Sequence, residues 1–147
     1  MKIFFSIIVV LILAVCTYFA YLSAHETTPD VGMVNGKLRP CPSTPNCVSS
    51  EATDEKFIEP FKATATIGLG DLWDATIRAI KEQGGVIQVQ EDDYVWATFQ
   101  SRLFKFTDDV ELRRDNPSKT IHVRSGSRCG QSDLGVNRKR VEALRVK

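Results

Sequence analysis

The sequence predicts an α+β fold, an antiparallel sheet that carries its helices on one face and follows an N-terminal transmembrane helix. Residues 3–22 form an apolar run interrupted only by hydroxyl side chains, and it is long enough to cross a bilayer. Beyond it, segments of strand period alternate with segments of helical period in the order β-α-β-β-β-β-α. Short turns join the consecutive strands, which favours antiparallel neighbours.

Length and charge limit the number of domains and the kind of partner. The chain has 147 residues, enough for one domain and one anchoring segment. We assign residues 1–24 to a membrane anchor or signal peptide, 25–39 to a polar tether and 40–147 to the folded domain. The 19 Lys and Arg residues nearly balance the 18 Asp and Glu residues, so we expect no nucleic-acid partner.

The N-terminal run predicts both membrane attachment and orientation. Signal peptides have apolar cores of about 7 to 15 residues, so this longer run favours an uncleaved single-pass anchor over residues 3–22. Cleavage after Ala24 is the alternative. Lys2 precedes the run whereas Glu26 and Asp30 follow it, which predicts a cytoplasmic N-terminus. The domain is then extracytoplasmic, and periplasmic if the host is a bacterium.

An extracytoplasmic location makes the cysteines candidates for a disulfide. Cys41 and Cys47 flank a loop with two prolines and an Asn, residue types that bend the chain, so we predict a local disulfide between them. Free thiols, or pairing of one of them with Cys129, are the alternatives. A zinc site formed by these three cysteines and His122 has suitable ligand types but no tight ligand spacing. We therefore expect no metal and no cofactor.

The folded part begins near Phe61, and its elements follow from periodicity. The alternation of residues 61–67 predicts a strand, and Asp71 opens a helix over residues 71–83. The inner stripe of that helix comprises Leu72, Trp73, Thr76, Ile77 and Ile80. Further strands are predicted over residues 86–90, 94–100, 104–113 and 120–125, followed by a helix that Asp133 caps and whose apolar positions include Val136, Val141 and Leu144.

A run of small, cationic and hydrogen-bonding residues joins the last strand to the last helix. Glycine lets the backbone approach a ligand closely, and a helix N-terminus offers unpaired N–H donors. We therefore expect an anion-receptive or partner-binding loop at this junction. Its candidate binding residues are Arg124, Ser127, Arg128, Ser132, Asp133, Asn137 and Arg138.

Two acidic residues share one face of the strand predicted over residues 104–113. Asp109 and Glu111 lie at a separation compatible with a pair of catalytic carboxylates. Arg113 is on the same face, and His122 or Arg124 is expected opposite it on the next strand. We favour a cross-strand lattice of ion pairs, which explains this pattern without catalysis.

Asp108 lies on the opposite, apolar face of the same predicted strand. An unpaired buried carboxylate is energetically costly, so Asp108 needs a cation. We expect Arg128 or Arg138 to supply it and to lock the loop onto the sheet. In the functional alternative, Asp108, Arg128, Asp133 and Arg138 line a small polar pocket.

Two kinds of function fit these residues. We expect a membrane-tethered, extracytoplasmic binding or envelope-associated domain whose loop accepts an anionic small molecule, a glycan or an envelope protein. The alternative is a small hydrolase or transferase that uses His122 or the Asp109 and Glu111 pair. Serine catalysis is disfavoured, because no Gly-x-Ser-x-Gly elbow is present and His122 and Ser125 alternate to opposite faces.

Six short blocks of the sequence resemble the DUF1499 family, a family of unknown function. In chain order they are RPCP (39–42), PNCVSS (45–50), ATFQSR (97–102), DDVE (108–111), HVRS (122–125) and SDLGVNR (132–138). The resemblance spans about residues 38–144 and implies that domain type without an activity. Together with the N-terminal apolar run, it predicts a membrane-anchored member of the family. The chain departs from the family pattern at Cys129 and Gln131, so we do not expect Cys129 to be a family ligand or nucleophile.

Overall fold

The chain begins with a helix of 23 residues, α1 (Lys2–Ala24). The structure, a computed structural model, describes residues 2–145, so Met1, Val146 and Lys147, at the ends of the predicted anchor and domain, lie outside it. None of the α1 side chains is buried, and the helix is long and apolar enough to cross a membrane. A cleaved signal sequence satisfies the same two criteria.

An antiparallel sheet of six strands forms the centre of the domain. Its strands are β3 (Cys47–Ser49), β4 (Phe61–Lys62), β5 (Val86–Gln90), β6 (Tyr94–Gln100), β7 (Thr107–Asp115) and β8 (Thr120–Ser127). Five of them follow the order β3-β8-β7-β6-β5, and β4 pairs separately with β8. A small hairpin of β1 (Met33–Val34) and β2 (Lys37–Leu38) precedes the sheet. The predicted α+β class is confirmed.

Both helices of the domain, α2 (Leu69–Glu82) and α3 (Val136–Leu144), pack on one face of the sheet. All five residues predicted for the inner stripe of α2 are buried. The sheet meets them with alternate apolar residues, among them Val95, Ala97, Val110, Leu112, Ile121 and Val123, each fully buried. The period-two pattern of the central strands therefore builds one continuous hydrophobic core.

The other face of the sheet is polar, yet much of it is buried. Asp109, Glu111 and Arg124 lie on this face, and each is at most 4% exposed. Residues 25–39, which we predicted as a tether, contain the β1–β2 hairpin and contact this face. The Gly32 N–H, for example, donates to Oε1 of Glu111 at 2.6 Å.

Local hydrogen bonds compete with the sheet at the end of one predicted strand and at the start of another. The strand predicted over residues 61–67 ends at Lys62, since the Thr64 hydroxyl accepts from the N–H groups of Thr66 and Ile67 and turns the chain toward α2. The strand predicted over residues 104–113 begins only at Thr107. Ahead of it, the Ser101 N–H donates to the Phe106 carbonyl and the Phe106 N–H donates to the Ser101 hydroxyl, which closes a loop.

The two domain helices begin where glycine, and not aspartate, occupies the N-cap. Helix α2 starts at Leu69, two residues before the predicted Asp71. Helix α3 follows Gly135, which has a left-handed backbone with φ of 77°. Asp133 still serves the helix end, because its carboxylate accepts from the N–H groups of Gly135 and Asn137. Val136, predicted to face the core, is 44% exposed.

The predicted disulfide between Cys41 and Cys47 is confirmed, with Cα atoms 5.7 Å apart. Cys47 pairs with Gly126 across β3 and β8. A Cβ atom at Gly126 would lie 3.2 Å from Sγ of Cys47, so a larger residue there would press on the disulfide. Because the bond engages both sulfurs, two of the four ligands of the alternative zinc site are already used.

We predict that Leu112→Ala lowers the free energy of unfolding by about 2–5 kcal/mol, because it opens a cavity in the core. Leu112 is fully buried, whereas Val86 is 59% exposed. The matched Val86→Ala variant should therefore change stability by less than about 0.5 kcal/mol. Denaturant titration of the full chain in detergent measures both values, and equal losses would contradict this assignment of the core.

Candidate functional site

The polar face of the sheet carries ion pairs between β7 and β8. Glu111 lies opposite Arg124 in the strand register, and Nη1 of Arg124 donates to Oε2 at 2.8 Å. The Tyr94 hydroxyl donates to Oε1 of the same carboxylate at 2.7 Å. Burial, together with the charge of Glu111, raises the pKa of Tyr94, so the phenol keeps its proton. The cross-strand lattice favoured by the sequence pattern is thus present.

A second pair on this face holds the start of the loop after β8. Arg128 donates through Nε and Nη2 to both oxygens of Asp109, each at 2.9 Å. The indole N–H of Trp96 donates to the same carboxylate at 2.8 Å. This forked geometry fixes the guanidinium in one orientation.

The expected partner of Asp108 was wrong. Arg140 on α3, and neither Arg128 nor Arg138, binds Asp108, with Nη2 and Oδ2 2.6 Å apart. Asp108 points to the helical face of the sheet, where α3 packs, whereas Arg128 follows the polar face. Arg138 lies two positions before Arg140, about 200° around the helix, and donates to the carbonyl oxygens of Phe57 and Glu55.

Part of the predicted loop lines a cleft of about 430 Å³ beside the disulfide. Arg124, Ser127 and Arg128, three of the predicted binding residues, contribute to its wall. Other lining residues include Thr27, Thr28, Asp30, Thr44, Asn46, Cys47, Asp109 and Cys129. The cleft therefore combines guanidinium, hydroxyl and amide groups, and its opposing wall comes from residues that precede the sheet.

The remaining predicted binding residues lie outside this cleft. Ser132, Asp133 and Arg138 line a smaller notch of about 180 Å³. Asn137 is fully buried between the two sites. Its amide donates to the Ser127 hydroxyl at 3.0 Å, and its Oδ1 accepts from the Ser125 hydroxyl and from Arg140. The loop is thus divided by a buried hydrogen-bond network.

Hydrogen bonds hold Asp133 as an anion within this network. Burial alone raises the pKa of the Asp133 carboxyl, but the N–H groups of Asn137 and Gly135 donate to it and bring the pKa below its ordinary value overall. An ionised carboxylate at the N-terminus of α3 stabilises the helix end. The notch therefore presents a carboxylate beside Arg138, and the N–H donors expected for an anion already have a partner.

The groups of the enzymatic alternative are engaged in structural contacts. Asp109 and Glu111 each accept from a guanidinium and an aromatic donor, as described above. His122 lies 3.2 Å from the hydroxyl of Ser50, a residue that is 7% exposed and accepts from the Val123 N–H. Burial and the charge of Arg113 lower the pKa of His122. This arrangement favours a structural role for the imidazole.

Cys129 is the free cysteine of the domain, half-buried in the wall of the cleft. Burial, helped by the charges of Glu26 and Asp108, raises the pKa of its thiol. A thiol with a raised pKa is mostly protonated at neutral pH and is a weak nucleophile. The geometry gives no support to Cys129 as a catalytic group.

Sequence reasoning missed Asn46, a residue at the base of the cleft. Asn46 is 3% exposed, and its amide donates to the Gly130 carbonyl at 2.8 Å. The backbone carbonyl of Asn46 accepts from the Asn137 side-chain amide at 3.1 Å and from the Ser127 N–H at 3.0 Å. Its position between the two cysteines was the available signal, because a disulfide loop next to a strand brings its polar residues close to that strand.

Fold and site together define a small α+β domain with one apolar and one ion-paired sheet face, preceded by an apolar helix. The family model described as "Protein of unknown function (DUF1499)" matches residues 37–147. The chain belongs to the DUF1499 family. Comparison with curated proteins and with solved structures finds no match.

We predict that the domain loses stability when the pH falls through about 6.5, the ordinary pKa of histidine. The pKa of His122 is lowered in the folded state, so below this pH the unfolded chain binds a proton that the folded domain does not. The loss ends once the pH is below the folded pKa. The carboxyl groups with lowered pKa, such as Asp115 and Asp133, lose their contributions at more acidic pH.

Urea titrations between pH 5 and 8 test this prediction with His122→Gln. The variant should show a flatter dependence of unfolding free energy on pH in the interval just below 6.5. Above pH 7 the imidazole is neutral in both the folded and the unfolded state. There, the difference in unfolding free energy between variant and wild type reports only the packing contribution of the side chain. Equal slopes in the two proteins would contradict the assignment.

Proposed function

We propose that this chain is a membrane-tethered, extracytoplasmic binding domain, and that the cleft beside the disulfide accepts a small anionic group. Three features support the location. The α1 helix has the length and composition of a membrane span. The disulfide fits an oxidising compartment. Lys2 precedes α1 while Glu26 and Asp30 follow it, which favours a cytoplasmic N-terminus. In a bacterium the domain would be periplasmic.

The observation that carries the binding proposal is a pair of partly used guanidinium groups in one cleft. Arg128 uses Nε and Nη2 for Asp109, which leaves Nη1 outside the pair. Arg124 uses Nη1 for Glu111, which leaves Nη2 outside that pair, whereas its Nε is buried and out of reach of a ligand. The carboxylate partners fix both side chains, so donors are oriented before a ligand arrives.

Charge compensation favours a single anionic group over a polyanion. Each guanidinium in the cleft already faces a carboxylate, and Asp30 adds another negative charge at the wall. Long-range attraction is therefore weak, and recognition depends on hydrogen-bond geometry. A carboxylate or phosphate group, on a small molecule, a glycan or a partner protein, matches these donors. Aromatic side chains, on which sugar rings commonly stack, do not occur among the described lining residues.

We predict that inorganic phosphate raises the melting temperature of the full chain through Arg128. At a tenfold excess over Kd, one bound ligand adds about 1.4 kcal/mol to the free energy of unfolding, which is roughly 5 °C or more for a domain of this size. Arg128→Gln should remove this shift. Arg138→Gln is the matched control, because that guanidinium lies in the separate notch, and it should retain the shift.

The phosphate-induced shift within each protein is the quantity compared, since Arg128→Gln also leaves Asp109 without its cation. If Arg128→Gln does not fold, Arg128→Lys takes its place in the experiment, because lysine keeps the positive charge but cannot form the two-pronged guanidinium contact. General salt stabilisation acts alike on all variants. Equal shifts in wild type and the Arg128 variant would contradict the proposed site.

The tether has its own test. We predict that the mature chain resists alkaline extraction from membranes and retains the α1 sequence at its N-terminus, because an uncleaved apolar span partitions into the bilayer. N-terminal sequencing of the membrane fraction measures this directly. Recovery of a soluble chain that begins near His25 would show that α1 is a cleaved signal peptide.

A further inference from the structure

Three segments meet at one end of the sheet. Asp108, near the start of β7, pairs with Ser127 at the end of β8. The loop before β7, residues 101–106, and the loop after β8, residues 128–135, therefore leave the sheet at the same end. The Arg128 N–H donates to the Thr107 carbonyl at 3.1 Å and ties the two loops together.

The chain that leaves α1 is held at this same end. Glu26 accepts from the Thr107 N–H at 2.5 Å. The Thr27 hydroxyl donates to the Arg128 carbonyl at 2.7 Å. His25 alone separates Ala24, the last residue of α1, from Glu26. The final turn of the helix therefore leads directly to the two loops.

An aromatic cluster extends this contact along α1. The ring of Phe19 lies 5.1 Å from Phe104 and 6.0 Å from Phe106, measured between centroids. Phe19 precedes Leu22, the last residue of the apolar run, by three residues, or about 4.5 Å along the helix axis. If α1 crosses a bilayer, residues 101–106 lie at the level of the interface, the layer in which aromatic side chains are enriched.

The exposed surface of these loops has the composition of an interfacial surface. Leu103 is 78% exposed and Leu134 is 87% exposed, the two highest values among the large apolar residues described outside α1. The loop of residues 101–106 contains Arg102 and Lys105, both exposed, and no acidic residue. An apolar tip flanked by long cationic side chains, as Leu103 is by Arg102 and Lys105, suits a surface that is apolar inside and anionic outside. Leu134 lies beside the Asp133 carboxylate, which the N–H groups of Gly135 and Asn137 already engage.

We infer that these two loops are a second membrane contact. Leu103 and Leu134 insert into the interfacial layer of the bilayer that α1 crosses, and Arg102 and Lys105 bind acidic lipid headgroups. The inference rests on the proposed anchor and adds a defined orientation: the sheet stands with the β6–β7 end toward the membrane. The turn between β5 and β6, around Asp92, lies at the far end of the strands.

Tryptophan quenching by lipids with brominated acyl chains tests the contact. The full chain is reconstituted in phosphatidylcholine vesicles that contain phosphatidylglycerol, and the signal of wild type, with Trp73 and Trp96, is subtracted. Leu103→Trp should lose at least twice the fraction of its fluorescence that the matched Asp92→Trp variant loses. Strand β6 separates the two positions by about 20 Å. Equal quenching at both positions would overturn the inference.

Headgroup recognition has a separate readout in the same vesicles. On the Leu103→Trp background, Arg102→Gln with Lys105→Gln should reduce quenching in anionic vesicles toward the value in vesicles of phosphatidylcholine alone. Each lost cation weakens attraction to an anionic surface about fivefold. The control pair, Arg78→Gln with Lys81→Gln on the exposed side of α2, should leave quenching unchanged. An equal effect of both pairs would exclude recognition by these two loop residues.

Alkaline extraction distinguishes a failed anchor from a failed loop contact. If carbonate releases the chain from the vesicles, the proposed anchor fails, and the loop contact fails with it. If the chain stays in the membrane and Trp at position 103 is no more quenched than Trp at position 92, only the loop contact is wrong. Retention with strong quenching at position 103 supports both.

Discussion

The charge of Glu111 is the constraint on which the polar half of the molecule depends. Its side chain is completely buried, and an isolated carboxylate in such a place would be very unfavourable. Arg124, Tyr94 and the Gly32 N–H together surround it. These groups come from β8, from β6 and from the segment before β1. One charge thus requires that three distant parts of the chain meet on the same face.

The parts of the fold that the sequence predicted are those determined by short-range pattern. The alternation in β5 and β6 and the helical stripe of α2 place each side chain with respect to one core, so their positions follow from neighbouring residues. The strand predicted over residues 61–67 is present only at Phe61 and Lys62, because the Thr64 hydroxyl forms a competing turn. Periodicity carries no information about such a local hydrogen bond.

The candidate site was predictable in its residue types and not in its pairings. The sequence indicated that Asp108 needs a cation, yet the choice of Arg140 over Arg128 depends on which side of the sheet α3 packs. The same fact divides the predicted binding residues, since Arg128 continues the polar face while Arg138 lies on α3, about 200° around the helix from Arg140. Residues 25–39 show no periodicity, so the sequence pattern does not indicate that they contact the sheet.

The junction between α1 and the sheet has a consequence for how the cleft would meet a ligand. A flexible segment of fifteen residues has a root-mean-square end-to-end distance of about 20 Å, so a domain on such a segment would move freely relative to its anchor. Here the chain is bound to the sheet at Glu26, two residues after the helix ends. In a membrane-anchored chain the domain would turn only as the helix turns, and the cleft would stay at a constant height above the lipid. The cleft would then sample only a thin layer parallel to the bilayer. A partner that diffuses within that layer would therefore encounter the cleft far more often than a partner free in the surrounding volume.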